Sequence, residues 1–475
     1  MAVTDLAPEY SANQDDWQMI RDVLKGAKAI REGGQKYLPQ LSGMSYGEYE
    51  AYKKRAQFFN ASARTLNGLV GMIFRKEPEI ILNGAEVLRP QLETCTVDNQ
   101  PFTVFARAIV REILSMGRVG ALVDAPTNGG TPYFTTYMAE NITNWRNMRD
   151  DNGRLVANQI VLKEDFLVDS QTGFGSEEVT VYRELYLDET GIYRQRLWLP
   201  VKNKDNGTSY QPGSVVSPML ADSGFFRGEM PFICFGPMKT GMKVQRPPIL
   251  DIAELNVLHF QRSAQLAHGQ FYTATPTYWA IAPNLGDELP EYRVGPNTVW
   301  LVDQPNSCGI LEYRGEGLKY LESACTQLES QMASLGARLV VDRKNTAGES
   351  NQVAEMRGKG ETSLLYEIVD SAEKGLTELL KIWVRWNGRN PQGVEVKLNR
   401  DFVDAALEYR TWLQLDRAHA AGNIDDETYY RVLFEGEVLP STYGPAQVKK
   451  MIDMAPQLRA NMAQEAPAQG GAARF

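Results

Sequence analysis

The spacing of apolar residues divides the chain into helical stretches on either side of a long β region. From Ser45 to Ile73 the face Phe59, Ser62, Ala63, Leu66, Leu69, Val70 and Ile73 recurs at i, i+3 and i+4. That predicts one helical region, ended by Pro78. Residues 14–32 predict a shorter helix, and 101–116 another, with Pro101 suited to the first turn and Gly117 at the end. VGALVDAP, starting at Val119, reads as a fully apolar strand before a TNGG turn. From 131 to 235 β character dominates. Tyr182, Glu184, Tyr186 and Leu187, with Arg194, Arg196 and Trp198, show the partial alternation of an antiparallel sheet with one wet face. DETG, starting at Asp188, is a hairpin-turn candidate, and residues 201–230, rich in Asn, Gly, Ser and Pro, predict a long loop.

The second half is organised around residues 246–351. A helical pattern started by Pro247 and Pro248 runs through RPPILDIAELNVLHFQRSAQLAHGQ. Two short strand-like runs, TPTYWAIAP and NTVWLVDQP, follow, and then a second helix, LKYLESACTQLESQMASLGARLVV. In this helix Leu321, Cys325, Leu328, Met332, Leu335 and Leu339 alternate spacings of four and three, the 3.5-residue repeat of a helix–helix seam. The first helix is apolar nearly all round, with Ile249, Leu250, Ile252, Leu255, Val257, Leu258, Phe260 and Leu266. One partner helix cannot cover such a surface, so neighbouring subunits or another domain are expected to do so. A polar loop, DRKNTAGESN, ends the stretch.

Beyond it, residues 351–387 predict a long helix with the stripe Leu365, Ile368, Ala372, Leu376, Leu379, Trp383 and Trp386. Gly358 and Gly360, each costing about 1 kcal/mol against alanine, predict a kink or break. VEVKLN is a strand, followed by short helices at 401–419, 425–434 and 445–459, the second capped by Asp425. The tail after 460 is small and polar, a composition that favours disorder.

Composition narrows the function classes. At 475 residues the chain has room for two to four domains. A net charge of −9 is not the signature of a tight nucleic-acid binder. No window approaches 18 uncharged apolar residues, and the N-terminus lacks a secretory pattern. The scattered Cys95, Cys234, Cys308 and Cys325 read as reduced, buried thiols of a protein made in the cytoplasm.

Catalytic constellations are missing. His259 and His268, nine apart on one helix, point about 180° from each other at 100° per residue and cannot share a metal; His419 stands elsewhere. Gly236–Val244 has Met242 where a phosphate-binding loop needs lysine. Trp145–Arg146 and Arg194–Trp198 interleave basic and aromatic groups, which a sheet's exposed face explains more simply than a single-strand stacking platform. For an enzyme acting on nucleic acid through Mg²⁺, Asp124 with Glu140 is the only carboxylate pair to propose.

Several runs together resemble the portal proteins of tailed bacteriophages. They are Tyr37-Leu38-Pro39; Arg55 to Asn60 with Arg64-Thr65 and Gly68; Ile73 to Lys76 with Pro78; Gly117 to Gly120 with Leu122 to Pro126; Asn144-Trp145-Arg146; Pro247 to Ala253 with Asn256, His259, Ser263-Ala264 and His268-Gly269; and Pro276-Thr277. The resemblance spans roughly residues 35–400. It implies an α+β portal fold with an α+β wing, a two-helix stem, a small α/β clip and a helical crown. Transferred to this chain, 1–246 and 352–400 are wing, 247–270 and 317–341 stem, 271–316 clip, 342–351 channel loop, 401–460 crown and 461–475 a disordered tail.

The function implied is non-enzymatic. It is a ring, usually of twelve subunits, at one capsid vertex of the virion, serving as the channel for DNA packaging and ejection. The implied partners are the terminase large subunit, a head-completion or tail adaptor protein, the major capsid and scaffolding proteins and double-stranded DNA, with no membrane, cofactor or metal. Arg343, Lys344 and Asn345 are the DNA-facing residues expected in the channel loop. Ile252, Leu255, Leu321, Leu328, Met332 and Leu335 are the expected stem-packing residues. A structural adaptor of the capsid or tail, without a DNA channel, is the alternative.

Overall fold

The computed structural model describes residues 2–126, 130–149, 153, 155–169, 176–202, 208–216, 228–274, 277–281, 299–302, 308–311, 315–339, 351–400, 402, 409–425, 428–429 and 432–433. They make two units, one ending at Arg400 and the other beginning at Asp401. The first is α+β.

Its chain opens with α1 (Pro8–Lys25) and α2 (Ala27–Glu32). Gly26 separates them with φ 94°, a value glycine adopts at little cost, so the helix expected over 14–32 is two. The region 45–73 is also two helices, α3 (Tyr46–Arg55) and α4 (Ala61–Ile73). Ser45 and Glu48 form a capping box before α3, and Asn60 Oδ1 accepts the Ala63 amide at the start of α4. Local capping chemistry at Asn60 therefore overrides a face that is periodic across the join. Then follow β1 (Glu79–Ile81), α5 (Phe102–Met116), β2 (Val119–Asp124) and β3 (Tyr133–Met138). Gly117 closes α5 in the left-handed region, φ 67°; a side chain there would meet the Gln245 carbonyl at 2.7 Å.

An antiparallel meander comes next: β4 (Ile142–Arg149), β5 (Leu155–Asp169), β6 (Ser176–Leu187), β7 (Tyr193–Lys202) and β8 (Thr208–Val216). Asp188 Oδ1 accepts the Thr190 and Ile192 amides and forms the expected hairpin turn. The expected loop at 201–230 contains β8, paired with β7 across a register shift. β9 (Phe232–Phe235) then joins β2 and β3 in a separate sheet, with β2 in the centre and every β2 residue buried.

The second half holds α6 (Leu250–Thr273), β10 (Thr277–Ile281), β11 (Val299–Val302), β12 (Cys308–Leu311), α7 (Glu316–Leu339), α8 (Asn351–Trp386) and β13 (Glu395–Lys397), which pairs with β1. α8 is helical throughout, so the break expected at Gly358 and Gly360 does not occur. A glycine penalty of about 1 kcal/mol is small beside the burial of Leu365, Ile368, Leu376, Leu379 and Trp383 farther along the same helix.

α8 and α5 clasp the β2 sheet. Phe134 on β3 lies between Phe105 on α5, 5.1 Å away, and Trp383 on α8, 6.0 Å away. Gly375 lets α8 approach β9, since a Cβ there would fall 2.4 Å from the Phe235 ring. Where β4 meets β2, the Arg118 guanidinium is buried 3.9 Å over the Trp145 ring. All three guanidinium nitrogens are buried with no hydrogen-bond partner, so the ring face is what is set against the cost of burying the charge. Of the Trp145–Arg146 pair, Trp145 thus packs inward while Arg146 is exposed.

The second unit is described around α9 (Tyr409–Ala420). Gly422 at φ 75° stops the helix, and Asp425 Oδ2 accepts the Thr428 amide, the cap expected there. The expected helix at 445–459 and the tail lie outside the described residues.

Candidate functional site

Residues 250–339 fold as an antiparallel helix pair, α6 and α7, joined through a small sheet in which β10 is parallel to β11 and antiparallel to β12. Burial along α7 follows the expected repeat as far as Leu335, while the side chain of Leu339 lies outside the described residues. On α7, Cys325, Leu328 and Met332 are buried, while Leu321 and Leu335 are half-buried at its edges. On α6, Ile252 is buried and Leu255 half-buried.

Close approach at the end nearest the small sheet depends on Gly269, where a Cβ would come within 2.5 Å of Leu318. Near the middle, His259 Nε2 lies 3.1 Å from Glu329 Oε1. Toward the far end, Gly336 on α7 meets Thr65 on α4, where a Cβ would stand 3.0 Å from the hydroxyl.

Much of the apolar girdle of α6 is covered within its own chain, with Leu258 left exposed and Leu255, Val257 and Leu266 half-buried. α1, α3, α4 and α7 all pack against it, so where neighbouring subunits or another domain were expected, helices of its own unit supply much of the cover. The physical reason is the split of region 45–73, which delivers two helices where one was expected.

Three side chains fix this bundle. Asn256, fully buried on α6, accepts the Ser62 amide at 3.1 Å and hydroxyl at 3.0 Å and donates to the Phe59 carbonyl at 2.7 Å. Arg55 bonds His268 at 3.2 Å and lies 4.3 Å over the Phe271 ring. Burial, and then the neighbouring Arg55 charge, push the His268 pKa below its usual value. Replacing Asn256 by alanine strands the Phe59 carbonyl and the Ser62 amide. We expect a loss of about 2 kcal/mol in urea unfolding, with a change below half that size contradicting the bracket.

The bracket was not legible as such. Asn256 shows only as a polar residue on an apolar helix, and its partners lie 194 and 197 positions away. Yet Arg55, Phe59, Thr65, Asn256, His259, His268 and Gly269 all belong to the runs that carry the resemblance. In this chain those runs are junctions between helices. Arg343, Lys344 and Asn345, expected to face DNA, lie outside the described residues.

The alternative carboxylate pair does not form. Asp124 is buried at the end of β2, where Gln195 donates at 3.0 Å and Arg183 pairs at 3.2 Å. Glu140 instead binds Arg21 at 2.6 Å, which also holds Glu112. Both carboxylates are committed to different arginines. Among the described residues no group of three or more His, Cys, Asp or Glu could hold a metal ion. The Gly236–Val244 turn is closed by Gln245, which donates to the Lys239 carbonyl and accepts the Met238 amide. No described helix is long and apolar enough to cross a membrane.

A family described as Domain of unknown function (DUF4055) matches residues 248–387, from the start of α6 to the end of α8. No curated protein matches the chain. Among solved structures, a chain from "Virion of native gene transfer agent (GTA) particle" is similar at 11% identity and a TM-score of 0.38, over 85% of this chain and 98% of that one.

Proposed function

We propose that this chain is a structural subunit of a virion, and more narrowly the subunit of a portal ring, a channel through which double-stranded DNA enters and leaves a head. One observation carries the reading: a 24-residue helix, a small mixed sheet and a 24-residue antiparallel helix, in that order, beside a 36-residue helix. Each helix of the pair is about 36 Å long at 1.5 Å per residue. In this reading the pair is the stem, β10–β12 the clip, residues 342–351 the channel loop, 401–460 the crown and the rest of the first unit the wing.

The outer face of α7 fits a channel wall. Ser323, Thr326, Gln327, Ser330, Gln331 and Ser334 are exposed and uncharged, and the exposed Lys319 is offset by Glu322 one turn on. A wall of mixed and neutral groups lets a polyanion slide, whereas a basic wall would hold it through its phosphates. Docking of a terminase at the clip, and of adaptor, capsid and scaffolding proteins around the ring, belongs to the same proposal.

Light scattering after size exclusion, over several salt and protein concentrations, should find a closed species of about twelve chains, as in the family resembled; monomers or dimers at every condition would exclude the ring. Arg343→Ala with Lys344→Ala should leave that mass unchanged while reducing DNA retained in filled heads. Unchanged retention removes those residues from the DNA path.

A further inference from the structure

α4 and α5 lie side by side and share one outward face. On α4 the exposed residues are Arg64, Asn67, Gly68 and Gly71; on α5 they are Val104, Arg107 and Ala108, with Arg111 half-buried beside them. Arg111 Nη1 donates to Asn67 Oδ1 at 2.8 Å, and Arg107 lies 5.2 Å over the Phe74 ring. The two contacts advance in opposite chain directions, so the exposed stripes are adjacent and antiparallel. Arg64 lies 5.8 Å over Phe59. Neither stripe carries a carboxylate. α4 has none, and Glu112, the one on α5, is buried against Arg21. A chain of net charge −9 thus concentrates cations on one helical face.

The middle of that face is bare. A Cβ at Gly68 or at Gly71 would meet nothing within 4 Å. Glycine inside a helix weakens it relative to alanine, and here no packing within the chain requires the missing side chain. An open glycine pair between arginines allows another backbone to come close.

We propose that this face binds the phosphate backbone of duplex DNA, with Arg64, Arg107 and Arg111 as phosphate contacts and Gly68 and Gly71 as the floor. A second copy of the chain fits less well. Protein interfaces rest on buried aromatic and apolar anchors, and this face has only Val104 on α5 and Phe59 under Arg64, with none on the glycine floor between. Guanidinium forks suit phosphate oxygens, and Arg107 and Arg111 stand one turn apart, about 6 Å along α5. The site does not include residues 343–345 and does not depend on the ring, since a monomer would carry it.

The test is fluorescence anisotropy of a labelled duplex of mixed sequence with the full-length protein, across a salt series. Three phosphate contacts add about −3 to the slope of log K against log salt. Arg64→Gln, Arg107→Gln and Arg111→Gln together should weaken binding at least tenfold at low salt and remove that part of the slope. Gly68→Leu with Gly71→Leu keeps the charges and favours the helix, and should also weaken binding several-fold with no fall in melting temperature. Duplex affinity unchanged in both variants overturns the proposal. A triple variant that keeps its DNA affinity but loses its oligomeric mass also overturns it, and assigns the face to a second copy. Light scattering on the unsubstituted protein judges the ring separately.

Discussion

Replacing Trp383 by alanine should lower the unfolding free energy of the 1–400 unit by about 3–5 kcal/mol. Trp383 is fully buried, packs its ring against Phe134, and donates Nε1 to the Pro132 carbonyl at 2.7 Å. The substitution empties the space between α8 and the β2 sheet and strands a buried carbonyl, so transfer, cavity and hydrogen-bond losses act together. Trp383→Phe restores most of the volume but not the bond, and should recover more than half of the loss. Both are read from the shift of the urea midpoint. A loss below about 1 kcal/mol for the alanine variant would mean that α8 is not what clasps the sheet.

The second large effect is expected at Arg183. Its guanidinium pairs with Glu164 at 2.6 Å and Asp124 at 3.2 Å and bonds Gln195 at 2.9 Å, while Glu164 accepts the Tyr137 hydroxyl at 2.5 Å. This network joins the β2 sheet to the meander. Arg183→Met keeps volume but leaves buried carboxylates without their cation, a loss of about 3–5 kcal/mol at neutral pH. The pH dependence has a definite sign. Burial raises the Asp124 pKa, and Arg183 opposes that rise. A carboxyl whose folded pKa lies above its unfolded value favours the fold as pH falls through the folded pKa and disfavours it as pH rises. Removing Arg183 raises the Asp124 pKa further. The variant should therefore be weakest at alkaline pH and regain part of its stability as pH falls toward the ordinary carboxylate range. A deficit independent of pH would show that Asp124 keeps its charge neutralised some other way.

What the sequence made legible was local. The helix pair follows from its 3.5-residue repeat and from the Pro247-Pro248 pair just before α6, and on α7 its central seam residues, Cys325, Leu328 and Met332, are buried. The Asp188 turn and the Asp425 cap were readable because their partners lie within a few residues. β8 was not, because TSYQPGSVV has the composition of a loop and becomes a strand by lying at the edge of the meander. The break at 56–60 was hidden because Phe59 and Ser62 keep the helical phase across it. The Arg118–Trp145 contact and the Arg183 network were hidden because their members are far apart in the chain. Asp124 read as a carboxylate to pair with Glu140, yet it is a buried partner of β6 and β7.

The measurement that tests the central claim most directly is single-particle electron microscopy of the purified protein. The account predicts closed rings with a central channel wide enough for duplex DNA, walled by α7, with α6 behind it facing α1, α3 and α4 of the same chain. Open filaments, or discrete particles with no channel, would contradict it.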